Sequence, residues 1–223
     1  MTARIFRWIA KGLVAFIVFS VLLVAIYRFV PVPYTLTMAM DERSVTKDWV
    51  PLSRIDRNMV SAVIAAEDGK FCEHDGFDTQ AIEQALEERA AGKRERGAST
   101  ISQQTAKNVF LWQGGSWFRK GLEAYFTFLI ETAWPKRRIM EVYLNIAETG
   151  LGTYGAEAGS QRYFGHSAAR LTRDEASRIA AVLPSPKTRE AVNPGGFTRR
   201  YGNIIESRIA SVRRDGLDAC VYE

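Results

Sequence analysis

One run of residues decides where this chain can live. Leu13 to Tyr27 reads LVAFIVFSVLLVAIY, with no charge and with polar groups only on Ser20 and Tyr27. As a helix these fifteen residues reach roughly 22 Å, short of the ~30 Å hydrocarbon core of a bilayer. Ile5, Phe6, Trp8, Ile9 and Ala10 extend the run upstream, and Phe29 and Val30 extend it downstream. Lys11 and Arg28 can then snorkel to the two interfaces. Arg4, Arg7 and Lys11 ahead of the run predict a cytoplasmic N-terminus. A cleaved signal peptide shares the charged start and short apolar core, but no small-x-small site directly follows Ala25. The expectation is a basic cytoplasmic segment at 1–12, a transmembrane anchor at 13–30 and a body on the periplasmic side of the inner membrane.

The net charge of +5 changes meaning once it is divided. Residues 1–30 hold four basic groups and no acid, leaving 26 basic against 25 acidic groups in the rest. A nearly neutral body lacks the field that nucleic-acid binding needs, so nucleic acid is excluded as a partner. The apolar fraction of 47% and the length of 223 residues suit one sizeable domain. Cys72 and Cys220 are too few for a disulfide framework, and the sequence leaves open whether they meet.

Residues 31–50 (PVPYTLTMAMDERSVTKDWV) are led by prolines and have no sustained period, which reads as a membrane-proximal linker. Helical signals then follow in quick succession over 51–223. Ser53-x-x-Asp56 resembles a capping box ahead of Ile55, Met59, Val63 and Ala66. Asp78 can cap a helix bearing Ile82, Ala85 and Leu86, which stops near Gly92. Thr100-x-x-Gln103 and Thr172-x-x-Glu175 are further capping boxes. Leu122, Phe126, Leu129, Ile130 and Ala133 form one stripe closed by Pro135, which also suits the first turn of the helix after it. Period-two alternation is scarce, so the body is mainly α-helical.

Two motif matches fail on context. Gly150, Gly152 and Gly155 spell G-x-G-x-x-G but follow a helical pattern rather than a strand, so they read as a loop. Ser44-x-x-Lys47 has the form of a transpeptidase nucleophile, yet no S-x-N or K-T-G partner follows, and no transpeptidase is expected.

Three segments carry more. In AAEDGKFCEHDGFD (65–78), an apolar run ends in Glu67 and Asp68, which alone is ordinarily a solvated helix end. In GASTISQQTAKN (97–108), Gln104, Lys107 and Asn108 share a helix face, either solvated surface or a polar ligand site. In RKGLE (119–123), Arg119 and Lys120 precede Glu123 by four and three residues. That is an intrahelical ion pair or a diphosphate site.

Taken in order, these segments resemble the family 51 glycosyltransferases that polymerise peptidoglycan from lipid II. KRRIMEVYLN (136–145) resembles the fourth family motif, and the YGAEAG to ASRIAAVLPSP region the fifth. The resemblance covers about residues 45–215 and implies a lysozyme-like, mainly α-helical catalytic domain. It further implies inverting transfer, in which one lipid II attacks the saccharide of another and undecaprenyl diphosphate leaves. Glu67 matches the family's catalytic glutamate and is expected to be the general base. Lys107, Arg119 and Lys120 match positions that neutralise the diphosphate. Glu123 matches the second acidic residue, which would orient the diphosphate through its basic neighbours or a divalent cation (Mg or Mn). Gln104, Asn108, Ser99 and Thr100 are expected to position substrate, and Asp68, Phe71 and His74 to shape the loop. Expected partners are lipid II, the growing glycan, membrane lipids and other cell-wall synthases or division proteins. One departure bears on the donor site, since Gly115 stands where the family pattern leads one to expect an arginine. The alternatives are a lysozyme-like hydrolase or lytic transglycosylase using Glu67 as an acid, and a non-catalytic membrane scaffold.

Overall fold

The computed structural model describes residues 2–92 and 97–222. It opens on α1 (Thr2–Tyr27), whose 26 residues span roughly 39 Å. Residues 2–12, read as a basic segment ahead of the anchor, therefore belong to the same helix. Charge marks where such a helix leaves the lipid, not where it begins. Most of α1 is exposed; Ser20 and Val24 are its buried contacts with the body.

The stretch 31–50 is built into the fold rather than left as a linker. It forms the short helix α2 (Leu36–Ala39), capped by Thr35, and the strand β1 (Thr46–Lys47). β1 pairs in parallel with β3 (Thr153–Tyr154), which pairs antiparallel with β2 (Glu148–Gly150). Strands of two or three residues are too short to show alternation, which is why the sequence hides them. The three glycines that mimic a nucleotide loop shape this hairpin. Gly152 and Gly155 have φ of 65° and 90°, and a Cβ on Gly155 would lie 2.9 Å from the Asn145 carbonyl.

The remaining helices are α3 (Arg57–Glu67), α4 (Thr79–Ala90), α5 (Ile101–Phe110), α6 (Trp117–Ala133) and α7 (Lys136–Ile146). They continue with α8 (Ala156–Phe164), α9 (Arg173–Val182), α10 (Gly196–Arg214) and α11 (Ala219–Tyr222). Both later capping boxes form, at Thr100 with Gln103 and at Thr172 with Glu175. Ser53 does not cap α3: it lies in a single 3-10 turn, and Asp56 accepts from the Asn58 amide instead. Pro135 is the cap residue before α7 rather than part of its first turn. Asp78 caps α4 as its sequence predicts, but no residue of α4 is buried and Leu86 is 60% exposed.

Two packed groups make the core. Met59, Val60, Val63 and Ile64 of α3 are buried with Ile179 and Ala180 of α9 and Ile205 and Ile209 of α10. Ile101 and Ala106 of α5 are buried with Phe126 and Ile130 of α6 and Ile139 and Met140 of α7. Residues of the 136–145 segment tie the groups to the end of α1 and to the stretch that follows it. Arg138 donates to the carbonyls of Tyr27 and Val30, and Asn145 exchanges hydrogen bonds of 2.9 Å with the backbone of Val50. Across α1 and α6, Ser20 and Tyr125 hydroxyls lie 2.6 Å apart, and Trp134 Nε1 donates to Val24 at 2.8 Å. α1 is thereby docked on the body, not merely tethered to it.

Cys72 and Cys220 form a disulfide across 148 residues of sequence. It joins the loop after α3 to α11, a pairing that the two isolated cysteines left open.

Candidate active site

Glu67 is the last residue of α3, where the helix ends against the N-terminus of α5. Asp68 makes that junction. One of its oxygens accepts from the Ile101 amide at 2.9 Å, where the α5 dipole favours negative charge. Its carboxylate also meets His74 Nε2 at 2.9 and 3.1 Å. Because His74 Nδ1 accepts from the Gly76 amide, Nε2 carries the proton and donates to Asp68. Thr100 Oγ1 donates to the Gly76 carbonyl at 2.7 Å, and Phe71 is fully buried under the Lys136 ammonium. Asp68, Phe71, His74 and Thr100 thus fold the 68–78 loop onto α5 and fix the end of α3.

Glu67 itself is held differently. Its Oε2 accepts from Gln104 Nε2 at 2.8 Å, while its Oε1 is buried without any partner. Burial pushes the carboxyl above its ordinary range, against the Gln104 hydrogen bond and the charges of Arg189 and Lys107. It lines a cavity of about 1020 Å³ together with Ser99, Gln104, Lys107, Arg189 and Tyr201. The Lys107 ammonium has no hydrogen bond among the described residues, and burial lowers its pKa despite the opposing fields of Glu123 and Glu67. An unpartnered cation between two carboxylates is ready for an anionic ligand.

The RKGLE segment forms a closed set on α6. Arg119 Nη1 donates to Glu123 Oε2 at 2.6 Å, and Lys120 donates to the other oxygen. Arg119 Nε also donates to the Gly114 carbonyl, and Lys120 lies 3.5 Å from Ser99 Oγ. Glu123 is 3% exposed with both oxygens occupied, so it holds the two cations in place. A single carboxylate already bonded to two cations does not fit a protein-held divalent ion. Among the described residues no three His, Cys, Asp or Glu side chains gather as a metal set. A Cβ at Gly115 would meet nothing within 4 Å, so the missing arginine leaves open space. Asn108 accepts from Gln113 at 3.2 Å and lines a second cavity rather than that of Glu67.

Residues 35–208, more than three quarters of the length, match the family described as Transglycosylase. The chain belongs to the transglycosylase family. Three relatives share most of its length. One from Caulobacter vibrioides is 52% identical over 204 residues, covering 90% of this chain and 89% of the relative. One from Pseudomonas aeruginosa is 50% identical over 220 residues, covering 94% of each. One from Rhodospirillum centenum is 47% identical over 227 residues, covering 100% of this chain and 98% of the relative. Each bears the name biosynthetic peptidoglycan transglycosylase.

Several site residues escaped the sequence reading. Arg189 lines the Glu67 cavity and acts on its charge, yet it lies just past the turns that follow α9, after two prolines and with no periodic signal. Tyr201 donates to the Ala66 carbonyl at 2.8 Å across 135 residues. Tyr143 contacts Gln104 Oε1 at 3.3 Å, and burial keeps its phenol protonated well above the ordinary range. It sits on the apolar stripe of α7, so its spacing signals only core.

Proposed function

We propose that this protein is a peptidoglycan glycosyltransferase that polymerises lipid II by inverting transfer, with no transpeptidase activity. The observation that carries the reading is the free, buried oxygen of Glu67 in a cavity that also presents an unpartnered Lys107.

A sugar hydroxyl is a weak nucleophile at neutral pH and needs a positioned base. Glu67 Oε1 takes the proton from the 4-hydroxyl of the incoming GlcNAc while its oxygen bonds to C1 of the donor MurNAc. The C1–O bond to the diphosphate breaks from the opposite face and its electron pair stays on the leaving undecaprenyl diphosphate. Gln104 fixes the Glu67 carboxylate, and Lys107 stabilises the departing charge, with Arg119 and Lys120 beside it on α6. Glu123 orients those two cations, and no step is routed through a metal.

The membrane setting supports the same substrate. α1 is long and apolar enough to cross a bilayer. On α6, which packs against α1, Trp117, Phe118 and Phe128 are 91, 71 and 62% exposed. Such an aromatic face suits the lipid interface where undecaprenyl diphosphate resides. Arg4, Arg7 and Lys11 ahead of α1's uncharged run support a body on the periplasmic side, by the positive-inside bias. Other cell-wall synthases or division proteins stand as its expected neighbours.

The test is a polymerisation assay with labelled lipid II on the full chain in detergent. Glu67→Gln should lower turnover by about 10²–10⁴-fold without unfolding the protein. Near-normal polymer from that variant, or cleavage of preformed sacculus with no polymer, would overturn the assignment.

A further inference from the structure

Among the described residues only two buried side-chain polar atoms lack a hydrogen-bond partner, Glu67 Oε1 and Glu148 Oε1. Buried acceptors are costly to leave unpaired, so each needs an account. The mechanism above accounts for the first and leaves the second unexplained.

Glu148 opens β2, immediately after α7, and lines a cavity of about 490 Å³ with Asn108, Tyr154 and Lys187. Gln104, Lys107, Leu183 and Pro184 line both this cavity and that of Glu67, so the two are compartments of one cleft. The two phenols that line this cavity with Glu148 are engaged elsewhere. Tyr154 donates its hydroxyl to Asp41 at 2.7 Å, and Tyr143 donates to Gln104. Lys187 approaches through its field without a hydrogen bond and is itself exposed. The pairing of Glu148 with Tyr154 in the sheet fixes the backbone, so the orphan is not a floppy side chain between partners.

We propose that Glu148 is a substrate-binding residue whose unpartnered oxygen accepts a hydrogen bond from an amide N–H or hydroxyl of the N-acetylated sugar in this second compartment. The inference rests on the glycosyltransferase reading. A neutral sugar suits the position, because a carboxylate there repels a diphosphate and leaves it to Lys107, Arg119 and Lys120. The cleft then carries one free acceptor oxygen per saccharide, Glu67 for the reacting hydroxyl and Glu148 for recognition.

Kinetics on lipid II with Glu148→Ala and Glu148→Gln, alongside the parent and Glu67→Gln, test it. Glu148→Ala should raise KM about tenfold with kcat little changed, the scale of one hydrogen bond to a charged group. Glu148→Gln keeps an acceptor oxygen and should return KM toward the parent value. Both variants should melt no lower than the parent, because they remove a partly buried charge whose Oε1 has no hydrogen-bond partner among the described residues. An unchanged KM for Glu148→Ala, a Gln variant as weak as Ala, or a lower melting temperature in either would overturn the proposal. Failure of the glycosyltransferase reading would appear instead in the parent and Glu67→Gln, leaving the two questions separable.

Discussion

The disulfide between Cys72 and Cys220 gives the sharpest quantitative expectation. Cross-linking across 148 residues removes roughly 5 kcal/mol of unfolded-chain entropy at 25 °C in the loop-closure treatment. The native contacts at the same joint lower what its loss costs. Asp218 accepts from Arg57 at 2.7 and 2.9 Å and from Ser61 at 3.2 Å, Val221 is fully buried, and Arg137 donates to the Val221 carbonyl. These keep α11 docked on α3 and α7 once the bond is gone, so its loss removes no other native contact. The expected loss for the double variant Cys72→Ser/Cys220→Ser is about 2–4 kcal/mol. For a domain of this size it corresponds to a fall in Tm of about 5–15 °C. Thermal unfolding of the full chain in detergent, with and without reductant, measures it, and reductant should lower the parent's Tm but not the variant's. Activity well below Tm should stay near the parent's, because Asp68 on Ile101 and Thr100 on Gly76 hold the 68–78 loop independently. A Tm within about 1 °C of the parent would refute the reasoning. So would a variant that keeps its Tm but loses its turnover.

The pH dependence follows from two shifted groups. Glu67 is raised from its ordinary value of 4.5 by burial, so its base form is lost on acidification at a higher pH than for an exposed carboxylate. Lys107 is lowered from 10.5, so its cation is lost early on the alkaline side, and the rate profile should be a narrowed bell. The same shift has a stability sign. The raised Glu67 favours folding fully below its unfolded pKa, and that benefit is lost as pH rises through its folded pKa. Glu67→Gln should therefore melt above the parent at neutral pH; an equal or lower Tm counts against the buried, unpartnered oxygen. A chelator should leave polymerisation unchanged, since Glu123 is saturated by Arg119 and Lys120. A rate that collapses with chelator and recovers with Mg or Mn would show that the diphosphate brings a cation of its own.

The family resemblance, and no local pattern, singled out Glu67 and Lys107; by itself the sequence determined the apolar N-terminal helix, the mainly helical body, the caps at Asp78, Thr100 and Thr172, and the spacing of Arg119, Lys120 and Glu123. Each of those is local: an uninterrupted apolar run, a cap three residues from its partner, or charges one helical turn apart. Only the tertiary structure decided that residues 31–50 join the fold, that Cys72 meets Cys220, and that Arg189, Tyr201 and Tyr143 surround the glutamate. It alone also showed that Glu123 is fully occupied while Glu67 and Glu148 each keep an oxygen free. Such facts depend on which donors come within about 3 Å of an acceptor across a hundred residues of chain. Periodicity reports which face a residue takes, but packing decides what meets it there.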